Sequence, residues 1–427
     1  MKLIRTKGRG AREAAALVAK LEHRGGAALD GVMADVRRIV TAVRKQGDRA
    51  LLRYASRLDG LAGREALCVP REEMAAAWEA TSPALQQALR TAAEQIRGFA
   101  EKQMPQNWSE NEAGLTRGQV VRPLASVGCY VPSGRHPLPS TLLMTAIPAE
   151  VAGVERIVVV SPKPAKETLA AAHLVGIREF YRVGGAHAIA ALAYGTDSVA
   201  RVEKIAGPGN LYVTAAKRLV AFDCAIDMLA GPTEIVVTSE TGDAVGIACD
   251  LIAQAEHDPE TFAAFITTRE ELARAVMAEV KQRVSRNAVA REALGRSGWA
   301  IVASSVEEAR ELTNRLAPEH LTVDTRADLQ WVRNAGSVFV GDWSAQPMGD
   351  YISGPNHTLP TGGMARVRGG LSVNDFVKLI TFQEYTREGL RALGSQAALL
   401  ADAEGLPGHA ESIRMRLARG TARRRNG

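Results

Sequence analysis

The chain has 427 residues, enough for two or three domains with buried cores, and its 46% hydrophobic and 23% charged residues are ordinary globular usage, which excludes wholesale disorder and fibrous repeats. Lys and Arg outnumber Asp and Glu by 53 to 47, a net +6, yet residues 412–427 hold Arg414, Arg416, Arg419, Arg423, Arg424 and Arg425 and no acid, so the preceding 411 residues carry 47 charges of each sign. The excess is a tail. Aromatics make up 5% and do not interleave with basic clusters, so a nucleic-acid reading rests on that tail alone.

Lys2, Arg5, Lys7, Arg9 and Arg12 open the chain without a following apolar core, and no apolar run approaches the ~18 residues of a membrane span, so neither export nor insertion is expected. Residues 1–27 read as a helical segment with an exposed basic face. Val32, Val36, Ile39, Val40 and Val43 recur at helical spacing and predict a helix from Asp30 to Gln46, with Asp30 as cap and Gly47 as stop. Helices dominate the first hundred residues, residues 106–123 read as polar and irregular, and a boundary falls near 124. Beyond it, strands at Ile157–Val160, Phe180–Val183 and Val202–Ile205 alternate with helices at Glu167–Val175 and His187–Ala193. A second set of strands is expected at Glu234–Val237, Ala264–Thr267, Ala300–Val302, Leu321–Val323 and Ser337–Val340, between helices around 243–256, 269–284 and 306–316.

This alternation predicts βαβ units in two α/β lobes with mainly parallel sheets. One lobe is discontinuous (28–124 and 235–372), the other spans 125–234, and 373–427 form a helical arm. Cys68, Cys129, Cys224 and Cys249 show neither CxxC spacing nor a disulfide framework, which favours a reducing cytoplasm.

Four polar groupings could carry chemistry. Gln254 and His257, three apart at the end of a helix, can put an amide oxygen and an imidazole on one face to hold a cation; a solvated helix end fits as well. Glu319 and His320 sit where Pro318 ends a helix and Leu321 starts a strand, two proton carriers of different basicity or a core-edge cap. Asp350 and His357 bracket a turn and can face one cleft. Glu404 and His409, five apart in the arm, are by themselves surface residues. Three glycine-rich pieces follow strands: Tyr130-Val-Pro132-Ser133-Gly134, Gly184-Gly185-Ala186-His187 and Gly207-Pro208-Gly209-Asn210. None is a GxGxxG dinucleotide fingerprint.

Taken with Pro139-Ser140-Thr141-Leu-Leu-Met144, Ala230-Gly-Pro-Thr-Glu234, Gln254-Ala-Glu-His257, Ala317-Pro-Glu-His-Leu321 and Gly349-Asp-Tyr351 through Gly354-Pro-Asn-His357, these pieces resemble the histidinol dehydrogenase family from about residue 30 to His409. The resemblance implies an incomplete Rossmann-like fold and a four-electron, NAD-dependent oxidation of L-histidinol through the aldehyde to L-histidine. One zinc per subunit is implied on Gln254, His257, Asp350 and His409. This donor set suits zinc without excluding manganese or cobalt.

Glu319 and His320 are the implied acid–base pair. Thr233, His320, His357 and Glu404, with the metal ligands, are the implied substrate contacts, and Tyr130, His187 and Asn210 the implied NAD contacts. The family is homodimeric, its arm reaching into the neighbouring site, with no nucleic-acid or membrane partner. Two departures stand out: His187 replaces a common Gln and Ser133 a frequent Gly, although imidazole can likewise donate and accept a hydrogen bond. A same-scaffold dehydrogenase of a sulfonated propanediol and, from another class, a zinc hydrolase are the rival readings.

Overall fold

The structure is a computed structural model that describes all residues except 25–26, 134–136 and 423–427. Gly134 of the first glycine-rich piece and Arg423, Arg424 and Arg425 of the tail lie outside the described residues. In chain order the strands are β1 (Lys2–Arg5), β2 (Trp108–Glu112), β3 (Leu115–Pro123), β4 (Ser126–Tyr130), β5 (Arg156–Val160), β6 (Glu179–Tyr181), β7 (Lys204–Ala206) and β8 (Ala225–Ile226). They continue with β9 (Glu234–Thr238), β10 (Phe262–Thr267), β11 (Gly298–Val302), β12 (His320–Val323), β13 (Ser337–Val340) and β14 (Val377–Tyr385).

The chain divides into two compact units. The first, Met1–Gln103 and Leu124–Phe376, contains two parallel sheets. One runs β1-β11-β10-β9-β12-β13 and the other β6-β5-β4-β7-β8. Their strands are short β-branched runs buried on both faces, such as Val158-Val159-Val160 and Ile235-Val236-Val237, the pattern that helices covering both faces of a sheet demand. The expected α/β alternation is therefore present, and most boundaries agree within two residues.

Several expectations need correction. The segment 1–27 is not purely helical: it begins with β1, whose Leu3 and Ile4 register against Ala300 and Ile301 at the sheet edge. Asp30 does not cap the next helix, which spans Met33–Gln46, because it belongs to a separate turn, Ala27–Asp30. Gly47 does stop it, with φ +53° that a side chain would resist. That helix buries Val36, Ile39, Val40 and Val43 against Val158, Ile189 and Ile205, the second sheet's core, so this part of 28–124 does not pack with 235–372 as expected. Periodicity marks an apolar stripe but not which sheet it covers.

The second unit comprises Met104–Pro123 and Val377–Gly427. Its core is an antiparallel sheet ordered β14-β3-β2, with Leu379 opposite Val121 and Phe382 opposite Gly118. Residues 106–123 are thus strands, and a strand precedes the helical part of the arm. Both escaped notice because exposed ribbons such as Trp108-Ser-Glu-Asn-Glu112 lack the apolar alternation of a half-buried strand. Helices Arg387–Ala403 and Pro407–Ala422 pack through Ala398, Ala401 and Ala410, with Gly394 admitting Leu417. Among the described residues no helix is long and apolar enough to cross a membrane.

Candidate active site

The polar residues of the first unit converge on the amino-terminal edge of the six-stranded sheet. Glu234 opens β9 and His320 opens the neighbouring β12, with His320 in register with Ile235. The crossover helix Ala244–Ala255 leaves the far end of β9 and runs back, which returns Gln254, near its end, to this edge. Ligands of open α/β sheets usually gather at the carboxyl edge. Here the turn before each strand builds the cluster instead.

Glu319 is its hub. Its Oε2 accepts hydrogen bonds from the Thr233 hydroxyl at 2.5 Å and the Glu234 backbone N–H at 2.8 Å. Thr233 Oγ1 in turn accepts from the Gln254 amide. His320, 3% exposed, donates Nδ1–H to the Glu234 carbonyl at 3.0 Å and stacks on Phe339, so its Nε2 faces Asp350 Oδ1 at 3.8 Å. Asp350 sits in the short helix Pro347–Tyr351, and its backbone carbonyl accepts from His357 Nδ1 at 2.9 Å. The Thr141 hydroxyl then donates to His357 Nε2 at 3.2 Å. A cleft of about 420 Å³ opens here, lined by His320, Phe339, Met348, Gly349, His357 and Leu359 among others.

Electrostatics separate the two imidazoles. Burial works against charge on His320, but Glu319 and Asp350 override it and push its pKa up to about 10. Burial also acts on His357, and there the weaker pull of Asp350 does not compensate, so its pKa falls and the ring stays neutral at pH 7. For Asp350, burial opposes ionisation, yet the hydrogen bond and charge of His320 hold the carboxyl below its ordinary range.

The expected metal ligands are partly assembled. Gln254 is 2% exposed, and its Oε1 is a buried acceptor without a partner, which costs about 1–3 kcal/mol unless a ligand satisfies it. The amide nitrogen of the same side chain lies 3.4 Å from His320 Nδ1, and an orphaned amide oxygen in this cluster is a donor that fits a cation. His257 lies just past the helix, which ends at Ala255 with Glu256 as its cap. It lies exposed one residue farther on, its N–H reaching the Gln254 carbonyl at 3.3 Å. Among the described residues no three His, Cys, Asp or Glu side chains are gathered closely enough to hold a metal by themselves. Glu404 and His409 belong to the second unit, where both are exposed, Glu404 at the end of one helix and His409 in the first turn of the next.

The expected cofactor residues border the carboxyl edge of the five-stranded sheet. Tyr130 ends β4, and its hydroxyl accepts from the Gly185 N–H at 3.1 Å. Asn210 caps the helix Leu211–Val220, its side-chain oxygen accepting from the N–H groups of Tyr212 and Val213. Ser133 Oγ accepts from the Lys163 N–H at 2.9 Å. His187 is 1% exposed and bound through Nε2 to Asp59 Oδ2 at 2.7 Å, while its buried Nδ1 has no partner.

Sequence reasoning missed Arg24, Glu234 and Asp59. Arg24 grips the buried Glu234 carboxylate with two bonds of 2.5 and 2.6 Å, and Gly362 N–H adds a third at 2.8 Å. A lone acid opening an apolar strand at Glu234 was the available signal. Nothing local marked Arg24 or Asp59 as partners 210 and 128 residues away.

The histidinol dehydrogenase family model matches residues 22–417. Histidinol dehydrogenases of Methanothermobacter thermautotrophicus and Aquifex aeolicus are 44% and 43% identical, over 94% and 89% of this chain and 97% and 91% of theirs. The crystal structure of histidinol dehydrogenase from Elizabethkingia anophelis superposes with a TM-score of 0.91 at 33% identity, covering 98% of both chains. A family match over most of the length, on a scaffold that gathers Glu319, His320, Gln254, Asp350 and His357, identifies the chain as an enzyme of the histidinol dehydrogenase family.

Proposed function

We propose that the enzyme oxidises L-histidinol through L-histidinaldehyde to L-histidine with two NAD per turnover, in a cytoplasmic homodimer carrying one zinc per subunit. The observation that carries this reading is the orphaned Gln254 Oε1, buried on a side chain whose amide nitrogen meets Thr233 and lies 3.4 Å from His320 Nδ1. Gln254, His257 and Asp350, with His409 of the partner subunit's arm, would hold the zinc. When bound, the metal would supply a Lewis acid for the amine and ring nitrogen donors of the substrate, and NAD would supply the hydride acceptor.

The chain's own residues do the rest. His357, neutral and fixed by Asp350 and Thr141, presents an uncharged ring edge to the substrate imidazole. With Asp350 committed to the cation it would hold, His320 would take the hydroxyl proton at Nε2, the atom beside Asp350. Its Nδ1–H stays on the Glu234 carbonyl throughout, which fixes ring and tautomer. Glu319 receives both of its hydrogen bonds on Oε2, leaving Oε1 to accept a proton from the water that hydrates the aldehyde. His320 then assists the second oxidation. Glu404 of the partner subunit's arm would meet the substrate amine or ring. Tyr130, His187 and Asn210 would border the NAD site, with His187 buried behind it on Asp59.

Among the described residues lining the cleft there is no Lys or Arg to receive a sulfonate, which favours histidinol over a sulfonated diol. The test is NADH formation with L-histidinol, with a sulfonated propanediol and without substrate, before and after chelation. Two NADH per histidinol, lost on chelation, is the expected result. Hydrolytic turnover without NAD would replace this reading by a zinc hydrolase.

A further inference from the structure

Beneath the Gly207-Pro208-Gly209-Asn210 loop lies an ion pair that the proposed reaction does not use. Lys217 and Asp227 are in contact, their side chains 3% and 0% exposed. A buried pair of this kind rarely adds stability over apolar residues of the same volume, so its presence calls for another account. The hydrogen bonds supply one. Gly207 N–H donates to Asp227 Oδ2 at 2.8 Å, and the Gly207 carbonyl accepts from Lys217 Nζ at 2.9 Å, so the pair holds both polar groups of one peptide residue.

Gly207 has φ +115°, and a Cβ there would lie 2.2 Å from the Tyr130 carbonyl oxygen, so the loop is pressed against the end of β4. Lys217 rides on the helix that Asn210 caps. Asp227 also accepts from the Met228 N–H at 2.5 Å, at the start of the segment that leads to Thr233.

We propose that Lys217 and Asp227 are positioning residues for NAD: the pair fixes Gly207 and thereby the spacing between Tyr130, at the end of β4, and Asn210, at the end of the loop, the two residues that would contact the cofactor. This rests on the reading that NAD binds at that edge. The pair touches neither the metal donors nor the Glu319–His320 cluster, so its loss acts on the KM for NAD and leaves metal content and the KM for histidinol in place.

The test compares purified zinc-loaded enzyme with Lys217→Met/Asp227→Leu, which removes both charges and both bonds to Gly207, and with Lys217→Met/Asp227→Asn, which is uncharged but keeps an acceptor for Gly207 N–H. The expected result is a KM for NAD raised at least tenfold in the first and about threefold in the second, with zinc content and the KM for histidinol within twofold of the parent. If the first variant does not fold, the second carries the test alone. An unchanged KM for NAD in a folded variant overturns the proposal. Asn210→Ser, which keeps the helix cap and removes the amide, is measured alongside. If it raises the KM for NAD while the pair variants do not, the positioning role fails and the NAD site stands. If none of the three raises it, NAD binds elsewhere and both ideas fall.

Discussion

Thr233 Oγ1 lies 2.5 Å from Glu319 Oε2, on the same carboxylate oxygen that the Glu234 amide engages at 2.8 Å. The hydroxyl also accepts from the Gln254 amide, so one threonine joins the candidate base to the candidate metal ligand. Thr233→Val keeps the shape and removes both bonds. A hydrogen bond to a charged group contributes about 1.5–3 kcal/mol, so kcat is expected to fall roughly ten- to a hundredfold, with Thr233→Ser restoring most of it. Steady-state kinetics of the three enzymes check this. Equal loss in Val and Ser variants would show that the methyl group, not the hydroxyl, matters.

Arg24 is the sole cation on the buried Glu234 carboxylate among the described residues, and the backbone of Glu234 orients both Glu319 and His320. Burial raises the Glu234 pKa and nearby Glu319 adds to it, while Arg24 opposes both. Arg24→Met therefore strands a buried charge and is expected to cost about 3–5 kcal/mol, read from urea denaturation at pH 7. A folded-state pKa raised above the unfolded value means stability that is present at low pH and lost as pH rises. Without Arg24 that loss grows, so the deficit of the variant should shrink on acidification toward pH 5. A deficit independent of pH would point to the lost stacking of the Arg24 guanidinium over the Phe262 ring instead.

Asp250 lies one turn before Gln254, and burial raises its pKa to about 6 against a single backbone bond from Gln346. Its folded pKa thus exceeds the unfolded value near 3.8, so its stabilising contribution is complete below pH 3.8 and is lost as pH rises through 6. Asp250→Asn keeps the acceptor for Gln346 and cannot ionise. The variant should melt at a higher temperature than the parent at pH 8 and at the same temperature near pH 4, as thermal scans at both values would show.

Much of this site was legible in the sequence because its residues stand in short local pieces. Glu319 and His320 follow Pro318, and Asp350 and His357 bracket a turn of Ser353, Gly354, Pro355 and Asn356. The parallel strands were equally plain, since Val158-Val159-Val160 and Ile235-Val236-Val237 are buried on both faces and read as unbroken apolar runs. What stayed hidden depends on distant packing. Arg24 meets Glu234 across 210 residues, and the helix Met33–Gln46 covers a sheet whose strands begin at Ser126. The ribbon of β2, β3 and β14 was unreadable for a different reason: with charged and polar side chains on both faces it carries no apolar period.

His320 and Glu319 are neighbours in sequence but are held by different groups, and this allows their roles to be separated. Nδ1–H of His320 is committed to the Glu234 carbonyl, so Nε2 is the atom that can exchange a proton beside Asp350. Glu319 is held through Oε2 by Thr233 and Glu234, and its other oxygen lies outside both bonds. His320→Asn should therefore slow the first oxidation by about 10²–10⁴, the usual contribution of a general base, and Glu319→Gln should spare it while blocking hydration of the aldehyde. The yield in Glu319→Gln should fall from two NADH per histidinol toward one, with aldehyde trapped by a carbonyl reagent. Stopped-flow traces of NADH formation under single-turnover conditions distinguish the cases: if Glu319→Gln removes the first NADH and His320→Asn does not, the two residues exchange roles.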